Sequence, residues 1–220
     1  MLDQRILYID AEAIVIDKPA GLPVDAPRAG GDSVELRIDE LKCGFQRPPA
    51  VMHRLDRDTS GCLLLARNAK ARARFQQAFE SGTVEKSYVA VVDGVPAGEE
   101  GLIDLPLAKV SSAADGWRMV EDETGKHAQT RWRKIAERDG RALVEFRPLT
   151  GRTHQIRVHA ARGLGAAIVG DPVYGVPAEG EGMLLHASRL VVPRAGNPAI
   201  DVRAPVPDRF GLWLDFLDAA

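Results

Sequence analysis

Cysteine is scarce in this chain: 220 residues hold only Cys43 and Cys62, with no CxxC pair. That excludes the common zinc spacings and a disulfide framework, and points to a reduced, cytoplasmic setting. No run approaches the ~18 apolar residues of a membrane helix, so no membrane partner is expected. The opening MLDQRILYID has an acid and no apolar core of the signal-peptide kind. Repeats, low-complexity tracts and a linker long enough to divide two domains are also missing. What remains is 45% hydrophobic and 27% charged, ordinary for a globular protein long enough to bury one sizeable core. A single domain over residues 1–220 is therefore expected.

The formal net charge of −2 argues against a nucleic-acid partner, but the charges are segregated. Residues 93–123 hold eight acids (Asp93, Glu99, Glu100, Asp104, Asp115, Glu121, Asp122, Glu123) against Lys109 and Arg118. Residues 126–157 hold nine cations against Glu137, Asp139 and Glu145, and residues 54–74 hold six against Asp56 and Asp58. Either this creates a basic face, or the opposite runs pair in the fold and cancel.

Two short strands open the chain, ILYID and AIVIDKPAGLPV, the second stopped by Lys18-Pro19-Ala20-Gly21. Val34, Ile38 and Leu41 recur at helical spacing, with Asp32 as a cap and Gly44 as a stop. Cys62–Ala66 reads as a buried strand, and Asn68 as the N-cap of a helix that buries Ala71, Phe75, Ala78 and Phe79. KSYVAVVDG, QTRWRKIAE and ALVEFRPL read as sheet strands, GRTHQIRVHAARG as a short basic helix from near Thr153, and MLLHASRLVV as a late strand. Strands following one another without crossover helices predict a mixed, mainly antiparallel sheet.

Three stretches could carry chemistry. In HRLDRDTSG, Asp56 stands between Arg54 and Arg57, and nearby cations keep a carboxylate ionised. That suits a reacting acid or a plain salt bridge. Asp56 and Asp58, about 6.5 Å apart along an extended chain, would also suit a hydrolase pair. A catalytically silent RNA-binding module is a third alternative. Tyr88 sits early in a strand, where it offers a flat ring and a hydroxyl or simply fills core. In GRTHQIRVHAARG, His154 and Arg157 share a helical face, as do Arg152, Ile156 and His159. A basic helix start is a ready anion site or a solvated end, and an Arg here could partner Asp56. The two histidines are poorly spaced as metal ligands. GDPVYG reads as loop chemistry, with Gly and Pro setting the backbone.

Taken in order, these stretches resemble the RluA family of RNA pseudouridine synthases. ILYIDAEAIVIDKPAGLPV looks like the family's opening, HRLDRDTSG its aspartate signature, KSYVAVVDG its tyrosine motif and GRTHQIRVH its arginine motif. GDPVYG and LLHASRL are similar to its late motifs. Asp25 stands where many members have His after GLPV. The resemblance implies an α/β (α+β) catalytic domain on a long, bent, mainly antiparallel mixed sheet, without the separate RNA-binding domain many relatives carry. It implies isomerisation of uridine in ribosomal RNA of the large subunit and/or a tRNA, by a monomer needing no cofactor, metal or protein partner. By resemblance Asp56 is the essential carboxylate, Tyr88 stacks on the target base, and Arg157 pairs with Asp56. Arg54 helps fill the stack vacated by a flipped base. His53, Arg57, Thr59, Arg152, His154, Ile156 and Leu185 are the remaining expected substrate contacts.

Overall fold

The computed structural model describes residues 1–27, 29–112, 116–177 and 182–217, so Asp115 lies outside the described residues. Strands β1 (Ile6–Ile9), β2 (Ala13–Lys18), β3 (Ala50–Val51) and β4 (Ser60–Ala66) precede helix α1 (Ala69–Glu80). Six strands follow: β5 (Glu85–Val92), β6 (Glu100–Asp104), β7 (Leu107–Ser112), β8 (Gly116–Glu121), β9 (Gln129–Arg138) and β10 (Arg141–Pro148). Helix α2 (Gln155–Val158), β11 (Leu185–Val192), β12 (Ile200–Arg203) and α3 (Leu214–Leu217) complete the order. The chain is α+β, with mixed and mainly antiparallel pairing. It divides into two compact units, residues 1–86 with 186–205, and residues 87–185 with 206–220.

In the first unit β4 is the central strand. It pairs antiparallel with β2 (Ala13 opposite Ala66) and β3, and parallel with β11 (His186 opposite Ser60). Strand β1 flanks β2, and β12 flanks β11, both antiparallel. All seven β4 residues are buried, as expected of an apolar run covered on both faces. Asn68 caps α1 by accepting the Ala71 amide hydrogen at 2.9 Å. Ala71 and Phe75 then pack with Val15, Leu64, Leu190 and Ile200 in one core cluster. The expected helix near residues 32–44 is reduced to turns and a short 3-10 segment, Ile38–Leu41. Its cap chemistry explains why: the Asp32 carboxylate is taken by the Arg37 guanidinium, and Ser33 Oγ accepts the Leu36 amide at 3.1 Å. Val34 and Leu41 are still buried.

The second unit pairs β5 with β10 (Tyr88 opposite Phe146), β10 with β9, and β9 with β6, all antiparallel, and adds the β7–β8 hairpin. Val89, Val91, Leu143, Val169, Leu184 and Phe210 form one core cluster, and Leu107, Met119, Ala128 and Val158 another. Here the segregated charges partly cancel. Lys134 meets Glu99 at 2.9 Å, and Arg141 meets Asp93 at 3.2 Å. Each pair joins a member of the acidic run to a member of the basic one.

Candidate active site

The loop between β3 and β4 carries Asp56 and is braced at several points. Leu55, just before Asp56, is buried, and Thr59 N donates to the Asp56 carbonyl at 3.1 Å, closing a turn. The Arg57 carbonyl accepts from Gly21 N at 2.9 Å and from Lys18 Nζ at 3.1 Å. Lys18 is fully buried at the end of β2, and its ammonium also donates to the carbonyls of Pro19 (2.8 Å) and Leu22 (2.7 Å). One cation thus clamps the Pro19–Leu22 turn to the aspartate loop. A buried ammonium is tolerated when hydrogen bonds replace its lost water. Beyond the turn, Ser60 Oγ lies 2.9 Å from buried His186 Nδ1. Gly61, at φ +110°, comes so close to β11 that an added Cβ would stand 2.2 Å from the Ala187 carbonyl oxygen. Only glycine fits that approach. Because residues 56–59 turn, Asp56 and Asp58 do not share a strand face. This removes the extended geometry on which a hydrolase pair rested.

Around Asp56 the other expected contacts have definite partners. His53 Nε2 accepts the Leu64 amide hydrogen at 3.0 Å, and its ring lies tilted against Phe79 with centroids 5.1 Å apart. Burial, aided by the Lys86 ammonium, pushes this imidazole down to about 4. It is therefore neutral at physiological pH and serves as a backbone acceptor. Arg54 is an exposed side chain bridged to Asp25 at 2.8 Å. The Arg57 guanidinium is exposed as well, with Nε 3.3 Å from the Gly21 carbonyl. Cys62 is no candidate nucleophile, since burial and the Asp17 carboxylate push its thiol up to about 12.

In the second unit Tyr88 is buried on β5 and 9% exposed. Arg157, on α2, is 5% exposed, which overturns the reading of GRTHQIRVHAARG as a solvated basic end. Its Nε and Nη2 donate to the two carboxylate oxygens of fully buried Asp171, each at 2.7 Å. Burial would raise the Asp171 carboxyl, but these bonds, the guanidinium charge and the amides of Val173 and Tyr174 hold it below the ordinary range. Such a two-pronged pair fixes the plane of the guanidinium. The GDPVYG loop is thus more than a turn. Its Asp-Pro start was a signal for an Asx turn, with Asp171 Oδ1 accepting from Val173 N (2.9 Å) and Tyr174 N (3.1 Å). Nothing local announced its Arg partner.

Helix α2 itself is a single turn followed by a π-helical turn, His159–Gly163. Just before it, Gln155 Oε1 accepts the Arg152 amide hydrogen at 2.9 Å. Arg152 lies outside the helix, exposed, with Nε donating to the His127 carbonyl at 2.9 Å. His159, expected on the same face, is buried between Thr130 Oγ1 (2.9 Å) and the Leu105 carbonyl (3.1 Å). Ile156 and Leu185 are buried apolar residues. His154 holds a left-handed conformation (φ 52°) with Nδ1 2.9 Å from Tyr174 Oη. The sequence reading missed Lys18, Asp171, Tyr174 and His186. No helix of the described residues is long and apolar enough to cross a membrane.

Comparison with known proteins shows the family. The family model described as RNA pseudouridylate synthase matches residues 12–162, more than half of the chain. An uncharacterised RNA pseudouridine synthase of Zymomonas mobilis is 54% identical, the match covering 96% of this chain and 97% of the relative. Ribosomal large subunit pseudouridine synthase C of Rickettsia bellii is 33% identical, over 94% of this chain and 70% of that protein. The solved structure of human RNA pseudouridylate synthase domain containing 4 is similar with a TM-score of 0.81 and 27% identity, over 99% of this chain and 94% of that one. The chain belongs to the RluA-type RNA pseudouridylate synthase family and is an isomerase acting on RNA.

Proposed function

We propose that this enzyme converts specific uridines of large-subunit ribosomal RNA and/or tRNA to pseudouridine, as a cytoplasmic monomer with one catalytic domain. The observation that carries the ribosomal assignment is the match to a ribosomal large subunit synthase over 94% of this chain. The reaction breaks the glycosidic carbon–nitrogen bond, turns the base and closes a carbon–carbon bond. One ring carbon loses a proton and one ring nitrogen gains one, so nothing is oxidised and no external group is required.

In this reading the target uridine is flipped out of its stack, which costs a few kcal/mol. Arg54 compensates the vacated stack, and its exposure on the aspartate loop supports that role. Asp56 carries the glycosidic-bond chemistry on a loop braced from within by Lys18. Tyr88 stacks on the base. Arg157, its plane set by Asp171, is the guanidinium that this reading assigns to the aspartate chemistry. Basic side chains hold phosphates, so binding weakens with salt.

The test is a pseudouridine map of ribosomal RNA and tRNA from cells with and without the gene, repeated with purified enzyme on unmodified transcripts. Loss of a large-subunit or tRNA site, restored by the wild-type gene, is expected. A map unchanged throughout both RNA classes would sink the assignment.

A further inference from the structure

Tyr174 lies at the junction of three elements of the second unit. Its ring centroid is 5.1 Å from the guanidinium carbon of Arg157. Its amide N–H donates at 3.1 Å to Asp171 Oδ1, the oxygen that also takes Arg157 Nη2. Its hydroxyl oxygen accepts the Met119 amide hydrogen of β8 at 2.9 Å and lies 2.9 Å from His154 Nδ1. Two residues before Met119 on the same strand, Trp117 packs tilted against the His154 ring, centroids 4.9 Å apart, with Lys109 Nζ of β7 4.8 Å from its centre. Trp117 is nevertheless 47% exposed.

We propose that Tyr174 is a positioning residue that ties the placement of Arg157 to the seating of the β7–β8 hairpin. The chemistry is directional. The Met119 N–H uses one lone pair of the phenol oxygen, and the phenol hydrogen points to His154 Nδ1 when that imidazole carries its proton on Nε2. A hairpin that shifts pulls on this hydroxyl, the hydroxyl turns the ring against Arg157, and the same residue's amide moves the carboxylate oxygen that fixes the guanidinium. RNA pressing on Trp117 and Lys109 therefore sets the Arg157 fork. This rests on the reading of Arg157 as a catalytic residue.

Tyr174→Phe keeps the ring beside Arg157 and removes both hydroxyl bonds. At saturating enzyme its single-turnover rate should fall by between about tenfold and about a hundredfold, as small misplacements of reacting groups do. The RNA dissociation constant should change less than about threefold, well under the tenfold step of ~1.4 kcal/mol. Hydrogen exchange of the Met119 amide should accelerate. In an Arg157→Lys background the same substitution should add almost nothing, because both act through one group. A wild-type rate for Tyr174→Phe beside a crippled Arg157→Lys overturns the Tyr174 role alone. Fully additive losses overturn it too, as does a rate loss that follows the melting temperature and vanishes on cooling. A wild-type rate for Arg157→Lys instead overturns the reading of Arg157 and this proposal with it.

Discussion

The buried ammonium of Lys18 lies 3.1 Å from the carbonyl oxygen of Arg57, the residue that follows Asp56. A positive charge inside the first unit therefore supports the aspartate loop through its backbone, while the side chains of Arg54 and Arg57 face solvent. Lys18→Met keeps most of the length but takes the ammonium donor from the Pro19 and Leu22 carbonyls and leaves the Arg57 carbonyl with Gly21 N alone. The expected loss is on the order of 3 kcal/mol in urea unfolding, with turnover falling further than RNA binding under conditions where the variant is folded. A Met variant as stable and as active as wild type would show that the clamp is idle.

Asp56→Asn is nearly isosteric and a poor nucleophile. It should abolish isomerisation while RNA affinity stays within about tenfold, roughly 1.4 kcal/mol. Turnover by a preparation free of wild-type enzyme would rule out the role given to this carboxylate.

Tyr88→Phe keeps the ring that stacks and loses the hydroxyl. Single-turnover rates should drop while binding constants hold. Were Tyr88 simply core, opposite Phe146 on the neighbouring strand, Phe would be nearly neutral in both measurements.

Arg54 and Arg157 should fail differently. The Arg54–Asp25 pair is exposed, so Arg54→Ala costs at most about 1 kcal/mol of stability. Its turnover defect on a folded stem-loop should be partly rescued when the target uridine is already unstacked. Arg157→Ala leaves the fully buried Asp171 carboxylate unpaired, a change that typically costs about 3–5 kcal/mol, and no loosening of the RNA should restore it. Equal rescue of both variants, or of neither, contradicts this division.

His53 makes stability depend on pH. Its imidazole sits at about 4 when folded against an ordinary 6.5. Between those values the unfolded chain takes up a proton that the folded one refuses. The contribution is whole above pH 6.5, declines as pH falls, and is spent by about pH 4, with an upper limit of roughly 3 kcal/mol. His53→Gln retains an acceptor for Leu64 N and should flatten urea midpoints between pH 7 and pH 4. An unchanged slope would mean that another group titrates there.

Much of this protein was readable along the chain. The Asn68 cap, the buried run of β4, the stop after Lys18 and the mainly antiparallel pairing follow from periodicity, capping and element order, which act over short stretches. The ordered motifs around Asp56, Tyr88 and Arg157 pointed to the family by resemblance, with the α+β fold class as what that resemblance implies. Where local signals competed, the fold decided: Arg37 drew the Asp32 carboxylate away from a helix cap, and residues 32–44 became turns. The partners of the buried polar and charged groups belonged to the tertiary structure alone. Lys18 reaches a carbonyl 39 positions away, Arg157 takes a carboxylate 14 positions on, and His186 meets Ser60 across 126. A cation in a sequence states its charge but not its depth. Only burial removes its water, and only the folded backbone determines which oxygens stand close enough to replace it.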